Sequence, residues 1–224
     1  MLISLHLPKT AGNSFRKSLE MVYAGRLATD YDDFPIVTSK IERNANAVAR
    51  CCQYYFRTQN HIECIHGHFL PLKYLFFGKK VNAKFVTWLR DPVERLASHY
   101  HFWKRYYNPA TAKPLHKKFS DENWSLEKFC FSKEMKNVYS QFLWGFPISK
   151  FDFIGVTEFY EVDFNYLCNV ILKIELPVLY ENVNVDQNNK TYINDNALRS
   201  AIEKYHAKDM ELYHYALALR KLKR

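Results

Sequence analysis

Three segments of the chain place a short apolar run ahead of a loop and a helix. Residues 2–7, 85–89 and 151–156 are mostly apolar, and helical spacing of apolar residues follows each of these runs. A strand that leads repeatedly into a helix is typical of a parallel sheet, because the helix returns the chain to the edge where the next strand starts. The sequence therefore predicts an α/β fold with a central parallel sheet flanked by helices.

The rest of the chain supplies further elements and no sign of a second domain. Its patterns predict an irregular segment at residues 23–38, a helix at 39–55, a strand at 61–69 and a long surface loop at 108–123. They also predict two helices at 125–131 and 136–143 and a final amphipathic helix at 196–221. No internal repeat or interior linker interrupts this succession, and 224 residues suit one compact core. We therefore expect a single domain over residues 1–224.

Composition narrows the class of protein. Hydrophobic residues make up 48% of the chain and aromatic residues 17%, which predicts a packed globule and not a disordered chain. The formal net charge of +9 favours polyanionic partners such as nucleotides, nucleic acid, anionic membranes or acidic polysaccharide. Because Lys and Arg are spread along the chain, this excess is not typical of a nucleic-acid-binding arm, and we expect no nucleic-acid partner.

The cysteines and the N-terminus indicate the cellular compartment in which the protein is expected. The five cysteines are odd in number and irregularly spaced, unlike the framework of a disulfide-stapled secreted domain. The sequence shows neither a signal peptide nor an apolar stretch long enough to span a membrane. We expect a cytoplasmic protein, of bacterial or other cytosolic origin, with peripheral membrane association left open.

The segment LPKTAGNS lies where a strand feeds a helix N-terminus, a position that attracts anions through free backbone N–H groups and the helix dipole. Lys9 adds a cation, Gly12 permits close approach of the backbone, and Thr10 and Ser14 carry hydroxyl donors. In the nucleoside-triphosphate loop GxxxxGK[ST] the lysine follows the glycines, whereas Lys9 precedes Gly12, and no strand ends in an aspartate of the magnesium-binding type. The segment predicts a phosphate site and argues against a kinase or ATPase.

FVTWLRDPVERLASHY supplies a second strand-to-helix junction. Asp91, Pro92 and Glu94 form a capping arrangement, so they are predicted to start the helix and not to touch substrate. Arg90 ends the strand, and Ser98 lies about two turns beyond the cap on the same side of the helix. Arg90 and Ser98 are therefore predicted to converge on one phosphate.

These segments resemble the nucleotide-binding motifs of sulfotransferases that use 3′-phosphoadenosine 5′-phosphosulfate (PAPS). LPKTAGNSF resembles their 5′-phosphosulfate loop, and LRDPVERLASHY resembles their 3′-phosphate segment. The nearest likeness is to the carbohydrate group typified by heparan sulfate 2-O-sulfotransferase, which has an RDP-x-ER-x-x-S-x-Y segment, an HGH tripeptide before it and a GVTE strand end after it. All three are present here in that order, at residues 90–100, 66–68 and 155–158. The resemblance extends over roughly residues 4–170 as spaced landmarks.

The resemblance implies a P-loop-like sulfotransferase fold and an enzyme that transfers the sulfuryl group from PAPS, its co-substrate, to an acceptor hydroxyl of a carbohydrate. No metal is implied. The nucleotide would be held at its 5′ end by Lys9, Thr10, Ala11, Gly12, Asn13 and Ser14, and at its 3′-phosphate by Arg90 and Ser98. Lys9 also suits a catalytic role, in which it neutralises charge on the departing phosphate oxygen.

Sulfuryl transfer also needs a base for the acceptor hydroxyl, and histidine suits because its ordinary pKa lies near neutrality. A spacing of two along a strand puts His66 and His68 on one face. By resemblance His68 is the base and His66 supports it or contacts substrate, although which of the two is the base stays open. Cys64 shares that face and makes zinc an alternative, which the absence of a convincing fourth ligand disfavours.

Two further positions lie near these motifs. Glu158 is open to three interpretations, namely a hydrogen bond near the site, a helix cap or a buried ion pair, and it stays outside the predicted catalytic set. Lys190 lies where related enzymes close over the nucleotide, but NVNVDQNNK lacks the basic pattern expected there.

The segment HFWKRYYNPATAKPLHKKF mixes aromatic rings with cations, which suits a groove for an anionic glycan and equally suits a solvated basic loop. The residues concerned are Trp103, Lys104, Arg105, Tyr106, Tyr107, Lys117 and Lys118. The expected cytoplasmic location disfavours heparan sulfate itself as the acceptor. Two alternatives stay open: the same chemistry on a lipid or small natural product, which a mostly apolar acceptor cleft would favour, and a non-catalytic nucleotide- or nucleic-acid-binding module. Oligomeric state is open.

Overall fold

A five-stranded parallel sheet forms the centre of the fold. The computed structural model describes residues 1–33, 35, 38–56, 61–179 and 191–223. Its strands are β1 (Leu2–Leu5), β2 (Leu27–Asp30), β3 (Cys64–Gly67), β4 (Lys84–Leu89) and β5 (Phe153–Val156). They lie in the order β2-β3-β1-β4-β5, and every pairing between neighbours is parallel.

Helices connect the strands and cover the sheet. They are α1 (Gly12–Tyr23), α2 (Lys40–Phe56), α3 (Leu75–Lys80), α4 (Pro92–Arg105), α5 (Pro114–Asp121), α6 (Leu126–Cys130), α7 (Val138–Phe142), α8 (Tyr160–Tyr166), α9 (Asn196–Tyr205) and α10 (Ala207–Lys223). The predicted α/β fold, with a central parallel sheet flanked by helices, is confirmed. No helix within the described ranges is both long enough and apolar enough to cross a membrane.

Both faces of the sheet are covered by packed side chains. On β1, Ile3 and Leu5 belong to one core cluster, whereas Leu2 packs with Phe15 of α1 in a cluster on the opposite face. All four residues of β1 are buried. Burial on both sides is what the central strand of a parallel sheet requires, and even the polar Ser4 of β1 is buried.

Two elements lie in segments that the sequence predicted to be irregular or a loop. β2 lies within residues 23–38, which were expected to be irregular, and α5 lies within residues 108–123, which were expected to form a surface loop. β2 was missed because it is a short edge strand that is only partly buried, so it carries no continuous apolar run. In α5, Pro114 occupies the first turn and Phe119 is buried, so the proline starts a helix in a segment that looked like a loop.

The predicted C-terminal helix at residues 196–221 is in fact two helices, α9 and α10, separated at His206. The imidazole of His206 is buried and donates from Nε2 to the carbonyl of Cys130 at 2.8 Å. Its Nδ1 accepts a hydrogen bond from the backbone N–H of Asn137 at 3.2 Å. These two long-range bonds fix the break between the helices, and neither is visible in local periodicity.

The position of β1 determines where a site can form. Because β1 lies between β3 and β4, the loops that follow these three strands leave the same edge of the sheet. His6, His68 and Arg90 are the first residues after β1, β3 and β4. In such folds the usual binding crevice lies at the carboxyl ends of the strands, where the strand order reverses direction.

Candidate active site

The loop of residues 6–11 joins β1 to α1 and carries the first predicted phosphate motif. Lys9 and Ala11 have left-handed backbone conformations, with φ of 66° and 59°. Such conformations at residues other than glycine cost free energy and concentrate at functional sites. The Thr10 hydroxyl donates to the carbonyl of Leu7 at 2.9 Å, so it holds the loop in this conformation.

The first turn of α1 is open to an anion. No side chain caps this N-terminus, and no acidic residue lies in its first turn. The backbone N–H groups that begin a helix have no partner within the helix, and the helix dipole makes this end electropositive. Of the predicted loop residues, Asn13 is exposed at this turn and Ser14 is buried beneath it.

Lys9 is a largely buried cation without a carboxylate partner. Its Nζ lies 4.0 Å from the ring centroid of Phe102 on α4, and it forms no ion pair with any residue that the structure describes. Burial, together with the nearby positive charges of Arg90 and Arg105, lowers the pKa of Lys9 to about 8. A lysine in this environment favours the binding of an anion, because an anion would restore its charged form.

Arg90 lies at the end of β4 with its backbone fixed and its guanidinium unpaired. The Tyr139 hydroxyl donates to the Arg90 carbonyl at 2.9 Å and accepts from the Arg90 N–H at 3.2 Å. The guanidinium lies 5.6 Å from the ring centroid of Tyr192, and it makes no ion pair within the described residues. Arg90 and Lys9 are therefore two neighbouring cations at the same edge of the sheet.

The acidic residues beside Arg90 are occupied by other groups. Asp91 accepts hydrogen bonds from the N–H groups of Val93 at 2.8 Å and Glu94 at 3.2 Å, so its predicted capping role is confirmed. The Glu94 carboxylate does not complete a capping box; it accepts from Arg199 at 2.9 Å and from the Tyr192 N–H at 2.9 Å. Arg199 also pairs with Asp91. Arg199 therefore neutralises both carboxylates, and neither of them forms an ion pair with Arg90.

Glu158 supports the same turn. Its Oε1 accepts a hydrogen bond from the Asp91 N–H at 2.8 Å, and burial raises the pKa of the Glu158 carboxyl. Of the three interpretations that the sequence left open, the structure therefore shows a hydrogen bond to the backbone next to Arg90. Glu158 positions this turn.

Ser98 lies on α4 on the side that faces the β1–α1 loop. It is one helical turn before Phe102, the residue beneath Lys9, and residues four apart share a helix face. Its side chain is buried, and its hydroxyl makes no hydrogen bond with the described part of the chain. Ser98 and Phe102 therefore share the side of α4 that is next to Lys9. The convergence of Arg90 and Ser98 on one phosphate stays a prediction.

Three histidine rings lie together beside this region. The rings of His6 and His66 stack at a centroid distance of 5.2 Å, and those of His6 and His68 are 4.3 Å apart. His66 is wholly buried, is hydrogen-bonded through Nδ1 to the Ser4 hydroxyl at 2.9 Å, and has its pKa lowered to about 3 by burial. This location suits a supporting residue and not one that contacts substrate.

The hydrogen bonding of His68 selects one tautomer. Its Nδ1 contacts the carbonyl of His6, and because a carbonyl only accepts, Nδ1 carries the proton. Nε2 is then the basic nitrogen. Burial lowers the pKa of His68 to about 4, so the ring is neutral at physiological pH. Sequence reasoning missed His6, whose carbonyl fixes this tautomer; its place at the end of β1, directly before the phosphate loop, was the available signal.

A buried charge network anchors the backbone at His68. The His68 carbonyl accepts a hydrogen bond from the Asp33 N–H at 3.2 Å, and Lys73 pairs with Asp33 at 2.6 Å and with Asp30 at 3.1 Å. Gly67 is required here, because a β-carbon at this position would lie 1.7 Å from the carbonyl oxygen of Asp30. The central glycine of the HGH tripeptide is thus explained by close packing of β3 against β2.

A cavity of about 410 Å³ opens beside His68. Tyr31, Asp32 and Thr38 line one side, and residues from Trp103 to His116 line the other. Of the residues that the sequence assigns to an acceptor groove, Trp103 and Tyr106 line this cavity. The others do not line it: Lys104, Arg105, Tyr107, Lys117 and Lys118.

Comparisons with known proteins give little further support. No protein-family model matches the chain, and no curated protein sequence matches it significantly. Among solved structures, a sulfotransferase from Alicyclobacillus acidocaldarius aligns with 97% of this chain and 94% of its own at 12% identity and a TM-score of 0.48. Mouse sulfotransferase SULT7A1 complexed with PAP aligns with 96% of this chain and 88% of its own at 12% identity and a TM-score of 0.42. Similarity this weak carries no argument about the chemistry of this chain.

Two further sequence-based interpretations concern a zinc site and a lid over the nucleotide. For zinc, the described residues contain no group of three or more His, Cys, Asp or Glu side chains placed to hold a metal ion. Cys64 is buried, and all five cysteines are free thiols. Lys190, at the predicted lid over the nucleotide, lies outside the described residues.

Proposed function

We propose that this protein is a sulfotransferase that moves the sulfuryl group of PAPS to an acceptor hydroxyl of a carbohydrate. The observation that carries the proposal is the pair of cations Lys9 and Arg90, which lie close together and form no ion pair with the described residues. They stand beside the uncapped N-terminus of α1. Neighbouring cations next to a helix N-terminus favour a ligand with several anionic groups.

The arrangement suggests how PAPS would be oriented. Residues 9–14 and the first turn of α1 would hold its 5′-phosphosulfate, and Arg90 with Ser98 would hold its 3′-phosphate. The Ser98 hydroxyl supports this assignment, because a buried hydroxyl without a hydrogen bond is available to a phosphate oxygen. Tyr192, whose ring lies next to Arg90, adds an aromatic surface at the 3′ side.

His68 would act as the general base. The acceptor oxygen attacks sulfur while the bond between sulfur and the bridging phosphate oxygen breaks, and the hydroxyl proton passes to Nε2 of His68. The departing group is 3′-phosphoadenosine 5′-phosphate (PAP), whose new negative charge Lys9 would neutralise. The bond from Nδ1 of His68 to the His6 carbonyl supports this role, since it leaves Nε2 unprotonated.

The cavity beside His68 supports a sugar over a lipid as acceptor. A lipid would favour an apolar lining, whereas Thr38, Asn108 and Thr111 add hydrogen-bonding groups to the aromatic rings here. A non-catalytic binding module gives no reason for a histidine with a defined tautomer at the cavity wall. We therefore favour catalysis on a polar, hydroxyl-bearing acceptor.

The test is transfer of radiolabelled sulfuryl group from PAPS to 4-nitrophenyl glycosides by the wild type and two histidine variants. His68→Gln is expected to lose at least about a hundredfold in kcat, the typical contribution of a positioned base, while its affinity for PAP is retained. His61→Gln, at an exposed histidine before β3, is the matched control and should retain activity. Full activity in His68→Gln, or no transfer by the wild type, would contradict the proposal.

A further inference from the structure

The charges of the cavity beside His68 are nearly balanced. Apart from histidine, the charged residues among its described lining are Asp32 and Lys113, one of each sign. Asp32 also pairs with Arg50 at 3.5 Å, outside the lining. Even with Arg50 included, the surplus is one positive charge. A groove for an acidic polysaccharide needs a row of surplus cations, because each acidic residue of the polymer must be neutralised along its length.

Three further cations of this region make contacts outside the cavity lining. The Nζ of Lys104 lies 5.7 Å from the ring centroid of Tyr100, and that of Lys118 lies 5.8 Å from the ring centroid of Trp124. Arg105 is close enough to Lys9 to lower its pKa, which places its charge on the nucleotide side. The basic character of residues 101–119 therefore does not turn this cavity into an anion site.

The uncharged part of the lining matches a compact polar ring. Tyr31, Trp103 and Tyr106 provide aromatic surfaces, and Tyr31 stands edge-on to His68 at a centroid distance of 5.0 Å. A ring packed on Tyr31 would thus have its hydroxyl groups beside the proposed base. The volume of 410 Å³ is near the lower end of the range of about 300–1,000 Å³ for small-ligand pockets.

From these observations we infer that the acceptor is a short, neutral sugar that fits the cavity between Tyr31 and Tyr106, and not an acidic polysaccharide. The inference rests on the proposed sulfuryl transfer and narrows its substrate. Asp32 is the acidic residue of the described lining, so its carboxylate is the group that would repel a uronic acid or a sulfated sugar packed against it.

A matched pair of acceptors tests the inference: 4-nitrophenyl β-glucoside and 4-nitrophenyl β-glucuronide, which differ in whether the sugar carries a hydroxymethyl or a carboxylate group. We expect kcat/KM for sulfuryl transfer to be at least about tenfold higher for the glucoside, an energy difference that one unfavourable charge contact supplies. Equal or higher kcat/KM for the glucuronide, or no transfer to either acceptor, would overturn the inference. PAP binding is measured on the same preparation: failure to bind PAP would overturn the proposed function itself, whereas PAP binding with a preference for the glucuronide would overturn the acceptor class alone.

A charge variant tests the role of Asp32. Asp32→Asn is expected to lower the preference for the glucoside about threefold or more, because it removes the repulsive charge without changing the size of the side chain. Glu211→Gln, on the exposed side of α10, is the matched control and should leave the preference unchanged. An unchanged preference in Asp32→Asn would refute the assignment of selectivity to this residue.

Discussion

The side of Gly12 on which a β-carbon would stand packs against the imidazole ring of His6. A β-carbon at position 12 would lie 1.8 Å from Cδ2 and 1.9 Å from Nε2 of His6. These two residues stand at opposite ends of the β1–α1 loop, so their contact fixes how tightly the loop turns before the helix begins. The sequence suggested that Gly12 lets a ligand approach the backbone; the structure shows that the space is taken by His6.

Gly12→Ala is therefore expected to distort the phosphate loop. The added methyl group must displace the His6 ring, and such overpacking typically destabilises a protein by about 1–3 kcal/mol. We expect a lower midpoint of thermal unfolding and at least about tenfold weaker PAP binding. Gly25→Ala is the matched control, because a β-carbon there meets no atom within 4 Å. A Gly12→Ala variant that binds PAP as tightly as the wild type would show that the contact with His6 is not needed.

The depressed pKa of Lys9 predicts a pH dependence of nucleotide binding. Lys9 has a pKa of about 8 in the structure, so it loses its charge as pH rises through 8, and the anion loses a cationic partner. Between pH 7 and pH 9 the dissociation constant of PAP should rise by up to about tenfold. Lys9→Arg keeps the charge throughout this range and should remove most of this dependence. A wild-type dissociation constant that is constant from pH 7 to pH 9 would contradict contact between Lys9 and the nucleotide.

The buried histidines predict a loss of stability in acid. Burial lowers the pKa of His66 to about 3 and that of His68 to about 4, whereas both are near 6.5 in an unfolded chain. Below pH 6.5 the unfolded chain takes up protons that the folded protein does not, so the free energy of unfolding falls as pH decreases toward 4. Each group contributes up to about 1.4 kcal/mol per pH unit.

Urea unfolding at pH 7, 6 and 5 measures this loss. The double variant Ser4→Ala, His66→Leu removes both partners of one buried hydrogen bond together with one titrating ring. We expect the free energy of unfolding of this variant to fall less steeply with decreasing pH than that of the wild type. The difference between the two slopes should correspond to about one proton. A slope identical to that of the wild type would show that His66 does not contribute.

The fully buried Asp209 is expected to be essential for stability. Its carboxylate accepts hydrogen bonds from the N–H groups of Tyr139 and Ser140, both at 3.0 Å, and its charge faces Arg95. Arg95 is also fully buried, and its guanidinium nitrogens make no hydrogen bond in the described part of the chain. Asp209→Ala leaves that charge uncompensated and should lower the free energy of unfolding by about 3–5 kcal/mol in denaturant titrations. A loss below about 1 kcal/mol would contradict this pairing.

Local signals explain what the sequence predicted correctly. The strands β1, β4 and β5 lie within apolar runs, and the start of α4 follows from the capping residue Asp91 and the adjacent proline. Lys9 and Arg90 lie near each other because they follow neighbouring parallel strands that end at one edge of the sheet. These inferences depend on neighbouring residues and on the geometry of the sheet, both of which the sequence contains.

What the sequence did not predict depends on contacts between distant residues. The pairing of Lys73 with Asp30 and Asp33 spans about forty residues, and Arg199 neutralises Asp91 across an even longer separation. His6 has no local pattern that marks it as the partner of His68. The sequence left the aromatic and basic residues at 101–119 open to two interpretations, a groove for an anionic glycan or a solvated basic loop. Trp103 and Tyr106 line the cavity and Lys104, Arg105, Lys117 and Lys118 do not, because neighbouring side chains on a helix or loop face different directions.

The most direct test of the account is calorimetric binding of PAP, without added magnesium, to the wild type, Arg90→Ala and Arg26→Ala. Arg26 is an exposed arginine that pairs with Glu63 just before β2, at the amino edge of the sheet, and serves as the control. We predict tight binding by the wild type and Arg26→Ala, and a loss of at least about a hundredfold in Arg90→Ala, since a charge-assisted contact to phosphate is removed. Absence of PAP binding by the wild type, a preference for ATP with magnesium, or unchanged affinity in Arg90→Ala would contradict it.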